Sequence, residues 1–116
     1  MLKKLILALL ITVPLLAQAK PITLKVRPNM VSSSSPYTEA TIIVERDPAN
    51  RHLVLIWGNS DIGVAGRSDF ELAGDQADRR FVKVIRFRET GEYEVKAVVI
   101  RNDDSYDSDS QTVIVR

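Results

Sequence analysis

The segment NDDSYDSDS, residues 102–110, carries four carboxylates: Asp103, Asp104, Asp107 and Asp109. Crowded oxygen ligands suit a hard cation, so calcium is the metal this chemistry implies. The order is not that of a calcium loop, which alternates acids as Asp-x-Asp-x-Asp-Gly. The primary expectation is therefore a solvated acidic loop, with a calcium-binding surface domain as the alternative. His52 is the only histidine and cysteine is absent. A zinc site would have to be built from carboxylates, which is unusual. A Ser-His-acid triad would need a serine in a nucleophile-elbow pattern, and none is present. His52 follows a turn and is expected at the surface. No catalytic residue is assigned.

Other side chains point to contact rather than reaction. Tyr37 and Tyr106 fall in expected loops and are the candidates for stacking on a sugar. Ile62 and Val64 sit in GNSDIGVAG, residues 58–66. They are expected to cover the core, with an exposed protein-contact patch as the other option. Arg79, Arg80, Lys83, Arg86 and Arg88 form a basic run. The expectation is a solvated face paired with Glu92, Glu94 and Lys96 on an adjoining strand.

The segments that must position these residues begin after an export signal. Lys3 and Lys4 precede an apolar run, Leu5 to Leu16, interrupted by Thr12 and Pro14. Ala17-Gln18-Ala19 is a small-x-small cleavage site. This layout predicts a signal peptide over 1–19 and one domain over 20–116, secreted or periplasmic, with no stable membrane insertion of the mature chain. Cleavage would remove two lysines and lower the formal net charge of +1 by two, to −1. Such a balance offers no general attraction for nucleic acid, so none is expected as a partner.

The remainder reads as strands. Ile22, Leu24 and Val26 alternate with polar residues between Pro21 and Pro28. In TEATIIVER, residues 38–46, Ala40, Ile42 and Val44 share one face. Asp47 to Asn50 is a proline-containing turn. HLVLIW, residues 52–57, is apolar on both faces, which suggests a central strand. Gly58 to Gly66 reads as an irregular loop, Asp69 to Leu72 as a short strand, and Ala73 to Arg80 as polar with at most one helical turn. FVKVIRF, residues 81–87, places Lys83 in phase with Phe81, Ile85 and Phe87, so a bulge or a solvent-directed lysine stem is expected. Glu92 to Arg101 and Gln111 to Val115 complete the set. The terminal QTVIVR strand is a possible sheet edge, unless the first strand covers it. No segment keeps a helical repeat. About seven short strands separated by turns indicate an all-β, Greek-key β-sandwich.

GEYEVKA, residues 91–97, carries a more specific signal. A tyrosine leads the strand, followed on the same face by Val95 and Ala97. In Greek-key sandwiches such a tyrosine pins a crossover loop through its hydroxyl. Trp57, Tyr93, Val95 and Ala97 are thus expected in the core, with Trp57 packing on Tyr93 from the opposite sheet. TGEYEVKAVVIRNDDSYDSDSQTVIV and ATIIVERDPANRHLVLIW resemble the immunoglobulin-like domains of the polycystic-kidney-disease (PKD) repeat type. After Trp57 the chain reads Gly-Asn-Ser-Asp, where that family has Asp followed by Phe-Gly-Asp-Gly. Fibronectin type III-like and other bacterial immunoglobulin-like domains therefore remain alternatives. The resemblance implies a non-catalytic role in protein binding, adhesion or spacing, with another secreted or surface protein as partner. A carbohydrate-binding module is the runner-up.

Overall fold

A computed structural model describes residues 20–77 and 79–116. The expected signal peptide lies outside the described residues. Among those described, eight strands form: β1 (Ile22–Arg27), β2 (Met30–Val31), β3 (Tyr37–Val44), β4 (Asn50–Asn59), β5 (Gly63–Glu71), β6 (Arg80–Arg86), β7 (Gly91–Arg101) and β8 (Tyr106–Val115). One 3-10 turn, Gly74–Gln76, precedes β6.

The strands divide into two sheets, ordered β1-β3-β6 and β2-β8-β7-β4-β5. All pairings are antiparallel except the short one between β2 and β8. The chain leaves the larger sheet after β5, contributes β6 to the smaller one, and returns as β7 on the far flank of β4. Such a non-consecutive neighbour is the Greek-key crossover of an immunoglobulin-like sandwich.

The core follows from alternation. Ile22, Leu24 and Val26 of β1 and Ala40, Ile42 and Val44 of β3 face inward from the smaller sheet. Leu53 and Leu55, then Tyr93, Val95, Ala97 and Val99, then Val113 and Val115, face them from the larger one. Burying each of the larger aliphatic side chains contributes about 1.5–3 kcal/mol.

Three expectations are corrected. The run 58–66 is not an irregular loop. β4 continues to Asn59, a tight turn follows, and β5 runs from Gly63, taking in the expected short strand. Gly63, at φ 73°, closes the turn. Gly66 sits beneath the indole of Trp57, where a Cβ would come within 2.2 Å of the ring. Gly63 thus serves the turn and Gly66 a close approach, and neither breaks a strand.

The acidic loop is also shorter than expected. β8 begins at Tyr106, so Asp107 and Asp109 are strand residues. They occupy the phase of Val113 and Val115 but lie where β8 passes the edge of β1. There the Leu24 amide donates to Asp109 Oδ2 at 2.8 Å, and Gln111 Nε2 donates to the Leu24 carbonyl at 3.3 Å. Polar side chains fit these core-facing positions because exposed strand backbone needs partners. β8 is flanked by β7 along its length and, on its other side, by β2 only at Ile114 and Val115.

Finally, Trp57 and Tyr93 belong to the same sheet and do not face each other across the core. Trp57 pairs laterally with Val95 and is only partly buried. The aromatic partner of Tyr93 is Phe87, with ring centroids 4.6 Å apart. Phe87 comes just after the last residue of β6, so it reaches the end of the core from the smaller sheet.

Candidate protein-binding site

Across β4 and the second half of β7, the outer face of the larger sheet is apolar where a solvated face would be polar. On β4, Val54 and Ile56 point away from the core. Val54 stands opposite Val98, and Ile100 lies opposite His52 on the same face. These four side chains line a concavity of about 600 Å³. Val54 is only 9% exposed although it faces outward. β5 supplies Val64 and Arg67 to the same concavity, and β7 supplies Glu94 and Lys96. Arg67 is held by Asp69, Nε to Oδ1 at 2.9 Å. The result is an apolar floor with a charged rim, the arrangement common in protein interfaces.

The β4–β5 hairpin shapes one end. The register shifts between Trp57 and Gly58, which bends the strand. At the tip, Asn59 Oδ1 accepts from the amides of Asp61 at 3.0 Å and Ile62 at 2.9 Å. This side-chain turn presents Ile62 and Val64 to solvent, 43% and 66% exposed. They do not cover the core. Val64 lines the concavity and also, with Ile62, Phe87 and Tyr93, a second groove.

Other residues singled out from the sequence are not brought together. Tyr37 opens β3 and Tyr106 opens β8; both are exposed strand residues, not loop residues. Tyr37 pairs with Arg86 and Tyr106 with Ile100, which puts them at opposite ends of the sandwich. His52 is exposed on β4.

Three of the four aspartate side chains take separate partners. Asp103 Oδ1 accepts from Ser105 Oγ at 2.6 Å and from its amide at 3.0 Å. Those bonds, the hydroxyl first, hold its carboxyl below the ordinary aspartate value. Asp107 bonds to Arg101, which also lies 3.4 Å from Asp47. The bond to Asp107 raises the guanidinium above its ordinary value. Asp109 accepts the Leu24 amide and sits 3.6 Å from Lys20. Asp104 adopts a positive φ of 66° in the turn. Among the described residues no group of three or more His, Cys, Asp or Glu side chains converges on a metal position.

The basic run does not pair with Glu92 and Glu94, because β6 lies beside β3 and not beside β7. Its ion pair among the described residues is Arg79 to Glu45, 3.6 Å apart.

Val54, Ile56, Val98 and Ile100 were not singled out as a site. The signal was present, since β4 and the second half of β7 are apolar on both faces, but it reads equally as a strand buried on both sides.

No family model matches this chain, and no curated protein matches it. Solved structures share the fold. The superoxide reductase (neelaredoxin) from Ignicoccus hospitalis has a TM-score of 0.62 at 14% identity, covering 86% of this chain and 83% of that one. The soluble domain of PmoD from Methylocystis has a TM-score of 0.54 at 10% identity, covering 82% of this chain and 90% of the other. A family 76 glycoside hydrolase from a bovine Bacteroides thetaiotaomicron strain has a TM-score of 0.56 at 19% identity; the match covers 83% of this chain but spans only 20% of the hydrolase. At these identities the likeness is one of β-sandwich fold and carries no activity. The PKD and fibronectin type III resemblances are not among these neighbours; the all-β sandwich is what they share with this chain.

Proposed function

We propose that this chain is a non-catalytic, secreted or periplasmic domain that binds another exported or surface protein through the outer face of its larger sheet. The observation that carries this reading is the concavity floored by Val54, Ile56, Val98 and Ile100. Apolar surface left in water costs about 25 cal/mol per Å² relative to burial, so a partner covering it gains that energy. The rim charges of Arg67, Glu94 and Lys96 fix orientation more than affinity. Adhesion or spacing within a larger assembly are settings such binding would serve. No comparable feature favours sugar or calcium binding, because the two tyrosines lie apart and no three carboxylates converge among the described residues.

A photo-crosslinking side chain placed at Val98 tests the site in cells that export the protein. The expected result is a discrete adduct that is lost on Ile56→Asp substitution and diminished by excess unlabelled protein. The same group at Lys25, on the outer face of the smaller sheet, should give no such adduct. A folded Val98 derivative that yields no adduct would sink the proposal.

A further inference from the structure

We propose that the free edge of β6 accepts an extended segment of a partner protein as an added strand. The segment this edge fits carries acidic, apolar, apolar and acidic residues at alternate positions. The site is separate from the concave face and goes beyond that reading.

The geometry starts from hydrogen-bond phase. β6 is an outer strand of the smaller sheet, bound to β3 on one side only. The Val44 amide donates to the Arg79 carbonyl at 2.8 Å, and the Phe87 amide to the Pro36 carbonyl at 2.9 Å. Both residues are odd-numbered and lie in one continuous register. In an antiparallel ladder, residues that bond to the neighbour alternate with residues that do not. The backbone groups of Arg80, Val82, Val84 and Arg86 therefore point to the open side. Their side chains also face outward: all four are exposed, Val82 at 47% and Val84 at 57%. One row of residues thus offers both unpaired backbone and accessible side chains, the two parts needed for recognition by strand addition.

The charge pattern selects the occupant. Arg80 and Arg86 bracket the two valines, and neither has an ion-pair partner among the described residues. Acids on the added strand opposite Arg80 and Arg86 would pair with them, and apolar residues between would cover Val82 and Val84. A second copy of this chain is the wrong partner. The antiparallel register that overlaps β6 with itself most fully sets Arg80 against Arg86 and Lys83 against Lys83, and like charges directly opposite are unfavourable. Lys83 reinforces this. It lies in the core-facing phase opposite Ala40, with no register shift, yet its side chain is exposed. A charged residue in the inward phase is a device that discourages indiscriminate edge pairing. β5, the outer strand of the larger sheet beside β4, lacks this selectivity, since its Arg67 and Asp69 neutralise each other.

The test uses a synthetic peptide, acetyl-ETVTVTE-amide, whose palindromic order makes the pattern independent of strand direction. It is titrated into the purified ¹⁵N-labelled protein. The expected result is amide shifts and slowed exchange at Arg80, Val82, Val84 and Arg86. KTVTVTK should bind at least about tenfold more weakly. Val84→Pro removes an edge-facing donor without touching a bond to β3 and should abolish binding. The double variant Arg80→Glu/Arg86→Glu should reverse the peptide preference, which keeps the test decisive if the proline variant fails to fold. Absence of shifts at millimolar peptide, equal response to both peptides, or shifts centred on β5 would overturn the proposal. So would a dimer in sedimentation that the peptide does not dissociate.

Discussion

The phenolic hydroxyl of Tyr93 donates a 2.9 Å hydrogen bond to the carbonyl of Glu89, four residues earlier in the chain. This ties the turn between β6 and β7 to the end of the core. The ring is 1% exposed and packs on Phe87. Tyr93→Phe keeps the ring and removes the bond, leaving a carbonyl short of one partner. The expected loss is about 1 kcal/mol, read as a lower urea midpoint at unchanged slope. An unchanged midpoint would show that the hydroxyl contributes nothing to the corner.

Trp57 and Gly66 form a cross-strand pair in which the indole covers the glycine. A methyl group at Gly66 would meet three indole atoms at 2.2 to 2.7 Å. Gly66→Ala should displace the ring and cost about 1–3 kcal/mol. Since Trp57 is the only tryptophan, a red shift of the intrinsic fluorescence reports the displacement directly. Val64→Ala on the same strand should leave the emission where it is.

Asp109 substitutes for a neighbouring strand at the edge of β1 by accepting the Leu24 amide. Asp109→Ala strands that amide and should destabilise the fold by about 1–3 kcal/mol. Asp109→Asn retains an acceptor oxygen and should cost less. Hydrogen exchange separates the two, with the Leu24 amide exchanging faster in the alanine variant than in the asparagine one.

The Asp103 carboxyl is held below its ordinary value by the hydroxyl and amide of Ser105. A carboxyl depressed in the folded state stabilises that state above the unfolded-state value. The contribution fades as pH falls from there through the folded-state value. A carbon-detected NMR titration should place the Asp103 midpoint below 3.8. Ser105→Ala should move it upward. Because this carboxyl is in full contact with solvent, the accompanying change in stability should be slight.

Much of the architecture was legible in the residues. Alternation located β1, β3 and β7 to within a residue or two, because a half-buried strand must place apolar groups at every second position. Tyr93 was legible as a corner, since a tyrosine heading a strand of small inward residues has one economical place to put its ring. The β4–β5 hairpin was not legible. Gly58, Gly63 and Gly66 carry the same symbol in sequence whether they break a strand, close a turn or lie beneath an indole. Asp109 likewise looks like any loop acid until β1 is placed beside it.

By itself, the sequence determined a two-layered β architecture and an inventory with one histidine and no cysteine. Both follow from local period and residue inventory, which need no knowledge of neighbours. Only the tertiary structure decided which sheet each strand joined. That assignment put Phe87 rather than Trp57 against Tyr93, and brought Val54 and Ile56 beside Val98 and Ile100. It also left Arg80, Val82, Val84 and Arg86 on an open edge. The physical reason is that strand pairing is non-local. Its register and order are selected by burying one side of every strand at once, and no single segment carries that information.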